Sequence, residues 1–166
     1  VAGELAADLS SDERVIVSGG AFGIEGAAHR ATLAAGGHAV VVMATGIDQR
    51  FPTAHKEMLN TVEDVGLLIT ELPPESSITR HHLFARHRIM AALSGATVLV
   101  EAAARSGARN VAVQAAALGR AVGAVPVIAD AADTASAKAA VAEVLARVGR
   151  IDVLVANAGG HGFSPV

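Results

Sequence analysis

The stretch from Val15 to Arg30, VIVSGGAFGIEGAAHR, constrains this chain more than any other. A buried apolar strand, VIVS, runs into the glycine-rich turn Gly19-Gly20-Ala21-Phe22-Gly23, and the turn opens into a helix near Ile24. Glycines let the backbone approach an anion closely, and the unpaired N–H groups of a first helical turn point at it. The same small residues also suit a tight strand-to-helix turn that binds nothing. If a phosphate is held, it belongs either to a nucleotide cofactor or to a nucleic-acid backbone. This stretch leaves both open.

The rest of the chain repeats the strand–helix alternation. A helix over AGELAADL precedes the first strand, Arg14–Ser18, and the next helix, Ile24–Ala35, closes on Gly36-Gly37. His38–Thr45 is a continuous apolar strand, as a strand covered on both faces should be. A helix over Ala54–Val65, a short strand Leu67–Glu71 and the helix carrying LFARHRIMAAL follow. A strand over Ala96–Glu101, a helix over about Asn110–Leu118 and a strand over Ala121–Val127 come next. An Ala-rich helix over about Ala135–Val148 and a strand over Ile151–Ala156 complete the pattern. The expected fold is α/β: a Rossmann-like, doubly wound, mainly parallel sheet of about six strands with helices on both faces. Ligands of such sheets bind at the C-terminal edge of the strands. The loops SGGAFG, GIDQRFP, ELPPESS and EAAARSGAR all fall on that edge.

Composition narrows the chemistry. The chain is 52% hydrophobic but only 2% aromatic, with no Trp, Tyr or Cys, so Ala, Val and Leu fill the core. Disulfides and thiolate metal sites are excluded. No apolar run reaches membrane-span length and no leader pattern is visible, so a cytoplasmic, membrane-free protein is the expectation. Val1 stands first, which leaves a missing upstream segment open. The net charge of −3 argues against an overall electrostatic glove for nucleic acid, yet positive residues cluster from Arg80 to Arg88 and at Arg105 and Arg109.

Two resemblances follow from the motifs. SGGAFGIE has the form of the short-chain dehydrogenase turn TGxxxGIG, with Glu25 replacing the last glycine. A carboxylate there competes with a pyrophosphate for the helix N–H groups. From Val15 to Pro126 the chain resembles the DNA-processing protein A family (DprA, also called Smf). The matching stretches, in family order, are SGGAFGIEGAAHRATLAAGGHAVVVMATGID-RFP, GLLITELPP, TRHHLFARHRIMAALS, VLVEAAARSGARN and ALGRAVGAVP. The resemblance implies an extended Rossmann-type fold and sequence-tolerant binding of single-stranded DNA. It further implies delivery of that DNA to a RecA-type recombinase during natural transformation, and suggests a homodimer. No enzymatic activity and no cofactor are expected.

On this reading the DNA-binding candidates are Gly19, Gly20, Phe22, Gly23, Arg50, Arg80, Phe84, Arg86, Arg88, Ser106, Gly107 and Arg109. Arginines offer forked donors to phosphates, and glycines permit close backbone approach. Phe22 stands where the family has Arg or Tyr; it either stacks on a base or plugs the strand end. Arg86-His87-Arg88 replaces the family's Arg-Asn-Arg. At about 100° per residue, Arg86 and Arg88 point some 200° apart, so one should bind backbone and the other be structural. His81, His82 and His87 lack metal-ligand spacing and read as weakly basic extensions of the patch. No nucleophile constellation is present around Ser18 or Ser106. Asp48 and Glu101 end strands and are expected to hold arginines rather than a ribose.

The tail reads differently. Residues 121–161, AVPVIADAADTASAKAAVAEVLARVGRIDVLVANAGG and its surroundings, resemble a fragment of a short-chain dehydrogenase without its catalytic residues. Two parts are therefore expected: residues 1–126 as the DprA-like domain, and 127–166 as a helix–strand graft completing the same sheet, as in a chimeric chain. A degenerate NAD(P)-binding domain and a scaffold with no activity stand as alternatives to DNA binding.

Overall fold

The computed structural model describes residues 1–100, 107–124 and 154–155. Helix α1 (Ala2–Ser11) buries Ala2, Leu5, Ala6 and Leu9, an i, i+3, i+4, i+7 stripe. Strand β1 (Ile16–Ser18) leads through the glycine turn into α2 (Ile24–Ala34), and β2 spans Ala39–Val42. A short 3-10 turn (Thr53–His55) enters α3 (Lys56–Val65), which stops at Gly66 before β3 (Leu67–Ile69). Helix α4 (Arg80–Leu93) is capped by Thr79, whose Oγ1 accepts from the His82 N–H at 3.1 Å. Strand β4 (Ala96–Leu99), α5 (Gly107–Ala117), β5 (Ala121–Ala124) and β6 (Leu154–Val155) follow.

All the strand pairings among the described residues are parallel, and their ladders do not join the six strands into the one expected sheet. Hydrogen bonds define two three-stranded sheets, in order β1-β2-β3 and β5-β4-β6. Ile16 pairs with Ala39 and Val40 with Leu67 in the first; Val98 pairs with Gly123 and Leu154 in the second. Strand β6 runs close beside β1, so the two groups meet there, with no ladder between them among the described residues. Sequence periodicity identifies strands, whereas ladder closure depends on spacing between chain segments far apart in sequence. The tail's strand does pair in parallel with β4; the helix expected over 135–148 and the boundary at 126 lie outside the described residues.

Alternating side chains distribute the core over two helical layers. Ile16 joins α1, α2 and β4 through Leu5, Leu9, Ala28, Ala96 and Val98. Ala39, Val41 and Leu68 meet Met58, Leu59 and Val62 of α3. On the other side Val17 and Val42 meet Met90 and Ala91 of α4 and Ala108, Val111 and Ala115 of α5. Strand β1 is thus held between α1–α2 and α4–α5, which fixes where the glycine turn emerges. No helix among the described residues is long and apolar enough to cross a membrane.

Leu59 is fully buried at the centre of the α3 cluster. Leu59→Ala should lower the unfolding free energy by about 3 kcal/mol, read from urea melts as a lower midpoint at unchanged slope.

Candidate nucleic-acid interface

The glycine turn leaves β1 at its C-terminal end and rises to the surface. Gly19 and Gly20 are buried, while Phe22 and Gly23 are exposed, Phe22 by 65%. Gly23 caps α2 at φ 82° and ψ −127°, a backbone region in practice open only to glycine. The N–H groups of Gly23 and Ile24 therefore head α2, ahead of any helical carbonyl that could accept from them. The Phe22 ring lies 4.7 Å from the His55 ring, tilted by 60°. This places Phe22 as an exposed aromatic surface rather than a plug in the strand end.

Beneath the turn sits a buried ion pair. Arg86 of α4 donates through Nη1 to the Val42 carbonyl at 3.1 Å and through Nη2 to Glu25 Oε2 at 3.4 Å. Both side chains are more than nine-tenths buried. A side chain on Gly19 would run into this guanidinium, so glycine is required there by close approach. Glu25 also accepts from the Ala21 N–H at 2.9 Å. This corrects the reading of Glu25 as a competitor facing the ligand: it turns inward, neutralises Arg86 and ties down the turn. It also places Arg86 inside the protein, where it supports the turn from below.

Helix α4 presents a different face to solvent. Arg80, Phe84 and Arg88, spaced i, i+4, i+8, are all exposed. The Arg80 guanidinium carbon lies 5.8 Å from the Phe84 ring centroid, and Phe84 is 42% exposed. Arg88 pairs with Glu71, both side chains well exposed. Such a pair contributes at most about 1 kcal/mol, so a phosphate can take the arginine from it. Arg50 bonds Glu63 at 2.6 Å, Asn60 at 3.2 Å and the Ile47 carbonyl, and so braces its loop on α3. Gly107 and the exposed Arg109 open α5; Ser106 and Glu101 lie outside the described residues.

Two further expectations are corrected. His87 is not an extension of the basic patch. Burial, and then the Arg86 charge, lower its pKa to about 4, and its Nδ1 accepts from Asn110 Nδ2 at 3.1 Å. It is a neutral link between α4 and α5. Asp48 forms no ion pair with an arginine among the described residues: it accepts from the Glu75 N–H at 2.8 Å and from Gln49 Nε2 at 2.9 Å, which together hold its pKa below the usual value. It fastens the loop after β2 to the loop after β3. Two histidines that sequence reasoning passed over also contact the turn. His29 Nε2 lies 2.9 Å from the Gly19 carbonyl and His55 Nδ1 lies 3.0 Å from the Gly20 carbonyl. The available signal was Glu25, Ala28, His29 and Thr32 on one buried stripe of α2, which set polar groups on a core-facing side.

His29 is fully buried, and burial is the largest cause that lowers its pKa to about 4. Unfolded chain titrates this imidazole near 6.5, so between those values the unfolded state binds the extra proton. Stability is complete above pH 6.5 and should fall by about 3 kcal/mol on acidification to pH 4 from His29 alone, with His87 acting in the same direction. Urea midpoints measured from pH 7.5 to 4.5 should therefore drop, and less steeply in His29→Gln; a flat profile would contradict the assignment. The two ion pairs should separate as sharply. Glu25→Ala strands a buried guanidinium and should cost about 3 to 4 kcal/mol, whereas Glu71→Ala should cost less than about 1 kcal/mol, both by urea melts.

Comparison with known proteins places this architecture. The family model "DNA recombination-mediator protein A" matches residues 1–157, and so takes in most of the stretch that resembles a dehydrogenase fragment. A DNA processing protein DprA sequence from Mycobacterium tuberculosis is 48% identical over 126 residues, covering 76% of this chain and 32% of its own. The Streptococcus pneumoniae DNA processing protein DprA is 38% identical over 115 residues, covering 69% of this chain and 41% of the relative. This chain thus spans less than half the length of those relatives. The crystal structure of the Streptococcus pneumoniae protein superposes with a TM-score of 0.69 at 32% identity, over 86% of this chain and 50% of that one. DNA processing protein A of Helicobacter pylori superposes with a TM-score of 0.71 at 22% identity, over 86% and 64%. With its strand–glycine turn–helix, its α4 and its parallel sheets matched together, the chain belongs to the DNA recombination-mediator protein A family.

Proposed function

We propose that this chain is a non-enzymatic module that binds single-stranded DNA with little sequence preference at the C-terminal edge of its first sheet. The observation that carries the reading is the exposed Arg80–Phe84–Arg88 ridge of α4, basic, aromatic and basic at one-turn intervals. Arginines two turns apart, about 12 Å along the helix axis, can reach phosphates on either side of a bound base, and an exposed ring between them stacks on that base whatever its identity. Phe22 offers a second stacking surface beside the head of α2. Family membership supports the reading, as does the structural neighbour from Helicobacter pylori, which is described as binding single-stranded DNA. Gly19, Gly20 and Gly23 shape the turn; Gly107 and Arg109 extend the surface from α5, and Ser106 precedes them in the sequence. Arg50 and Arg86 act by bracing rather than by contact. Handover to a RecA-type recombinase, and a homodimeric state, complete the proposal for the whole protein.

Fluorescence anisotropy with labelled oligo-dT across a salt series tests this. Two phosphate contacts to a single strand should give a slope of log affinity against log salt of about −1.4. Arg80→Ala combined with Arg88→Ala should flatten that slope and weaken binding at least about tenfold, while Phe22→Ala and Phe84→Ala should each cost about 1 to 2 kcal/mol. Salt-independent binding, or indifference to the arginine pair, would overturn the reading; saturable binding in a parallel NADH titration would favour a nucleotide site.

A further inference from the structure

We propose that His29 and His55 are positioning residues for this site, clamping successive carbonyls of the glycine turn through opposite ring nitrogens and seating Phe22. The proposal rests on the DNA-binding reading for its function, though not for its geometry. A carbonyl only accepts hydrogen bonds, so each contacting nitrogen must carry the proton. His29 is therefore the Nε2–H tautomer, donating to Gly19 at 2.9 Å, and His55 donates to Gly20 through Nδ1–H at 3.0 Å. The remaining nitrogen of His29, Nδ1, is buried without a hydrogen-bond partner, as suits an imidazole bearing a single proton. Burial keeps that ring neutral, and Arg86 and His55 nearby act in the same direction.

The clamp answers a problem that the glycines create. The Gly19–Gly20 plane has no Cβ on either side and the Gly20–Ala21 plane has one on one side only, so both turn over more readily than a plane between two substituted residues. In a trans peptide the N–H points opposite to the carbonyl. Holding the Gly19 carbonyl on His29 therefore directs the Gly20 N–H away from it. Holding the Gly20 carbonyl on His55 directs the Ala21 N–H the other way, where Glu25 accepts it at 2.9 Å. With both planes fixed, the chain reaches Phe22 and Gly23 in one conformation, and the bound strand need not order the turn. His55 does a second job, because the Phe22 ring rests on it at 4.7 Å. Space for His55 is reserved by Gly26, where a Cβ would come within 2.7 Å of His55 Cε1.

Amide side chains separate a directional hydrogen bond from simple packing. Gln carries its N–H donor where His Nε2 lies, and Asn carries its donor where His Nδ1 lies. His29→Gln and His55→Asn should hold oligo-dT affinity within about twofold of the parent, whereas His29→Asn, His55→Gln, His29→Leu and His55→Leu should weaken it at least about tenfold. Phe22→Ala should lose its effect in the His55→Leu background, as coupling through one contact requires. Imidazole nitrogen NMR of the unmodified protein should show the two histidines as opposite tautomers. Equal rescue by Gln and Asn at both positions, or His55 protonated at Nε2 alone, would overturn the clamp. If the Leu variants do not fold, the Asn and Gln pairs, which differ by one methylene, still decide it. An unmodified protein that binds no oligo-dT would overturn the DNA reading alone. The clamp would then be read from the Gly20 and Ala21 amide shifts, which should move in the crossed amide variants and return in the matched ones.

Discussion

The buried pair between Glu25 and Arg86 is the interaction on which the site depends. Removing two charges from water costs several kcal/mol per ion, and a single contact at 3.4 Å does not offset that. The surroundings do. The guanidinium also donates a hydrogen bond to the Val42 carbonyl, and the carboxylate also accepts one from the Ala21 N–H. One pair thereby joins the head of α2, the end of β2, the middle of α4 and the glycine turn, segments up to 61 residues apart. An apolar replacement of the same volume would fill the space without fixing the turn, because only the charged groups have directional demands on the backbone. Here the polar contacts determine conformation more than they add stability.

Burial then sorts the arginines into two kinds. Arg86 is locked by desolvated partners and Arg50 by three bonds to its own loop and α3. Arg88 has a partner too, but an exposed one, and exposed pairs in water are weak enough to exchange. Arg80 rests against the Phe84 ring face, a contact that leaves its charge available. Counting arginines in the sequence therefore overstates the surface available to a polyanion, and the helix geometry restores the right count. The face of α4 that points inward builds the turn, and the face that points outward presents the ridge.

Much of this was legible in the sequence, for identifiable reasons. The strand–turn–helix was readable because apolar strand residues, glycine and a helix start occur in consecutive order. The opposed directions of Arg86 and Arg88 follow from helix geometry, a local property. Pairings across long separations were not readable. Glu25 was misread because only the local dipole of α2 was in view, and the arginine that claims it comes from another helix. His29 and His55 were missed because nothing in their own neighbourhoods shows that both face one turn. The division into two sheets was equally hidden, since strand pattern is blind to which ladders close.

The net charge of −3 decides how such a surface must work. A chain with no long-range positive field gains little from electrostatic steering, so on the proposed reading encounter with DNA would proceed at an ordinary rate. Discrimination for a strand must come from contacts made after encounter. When a phosphate takes Arg88, Glu71 is released beside it, and that like-charge neighbour cancels part of the gain. Phosphate contact alone therefore leaves a small surplus, and base stacking has to supply the rest. Bases in a duplex already stack on one another and offer no free faces, whereas a single strand offers them on every residue. On the proposed reading, a weakly charged site that depends on the exposed rings of Phe22 and Phe84 would be biased towards single strands by its physics, before any particular fit is considered.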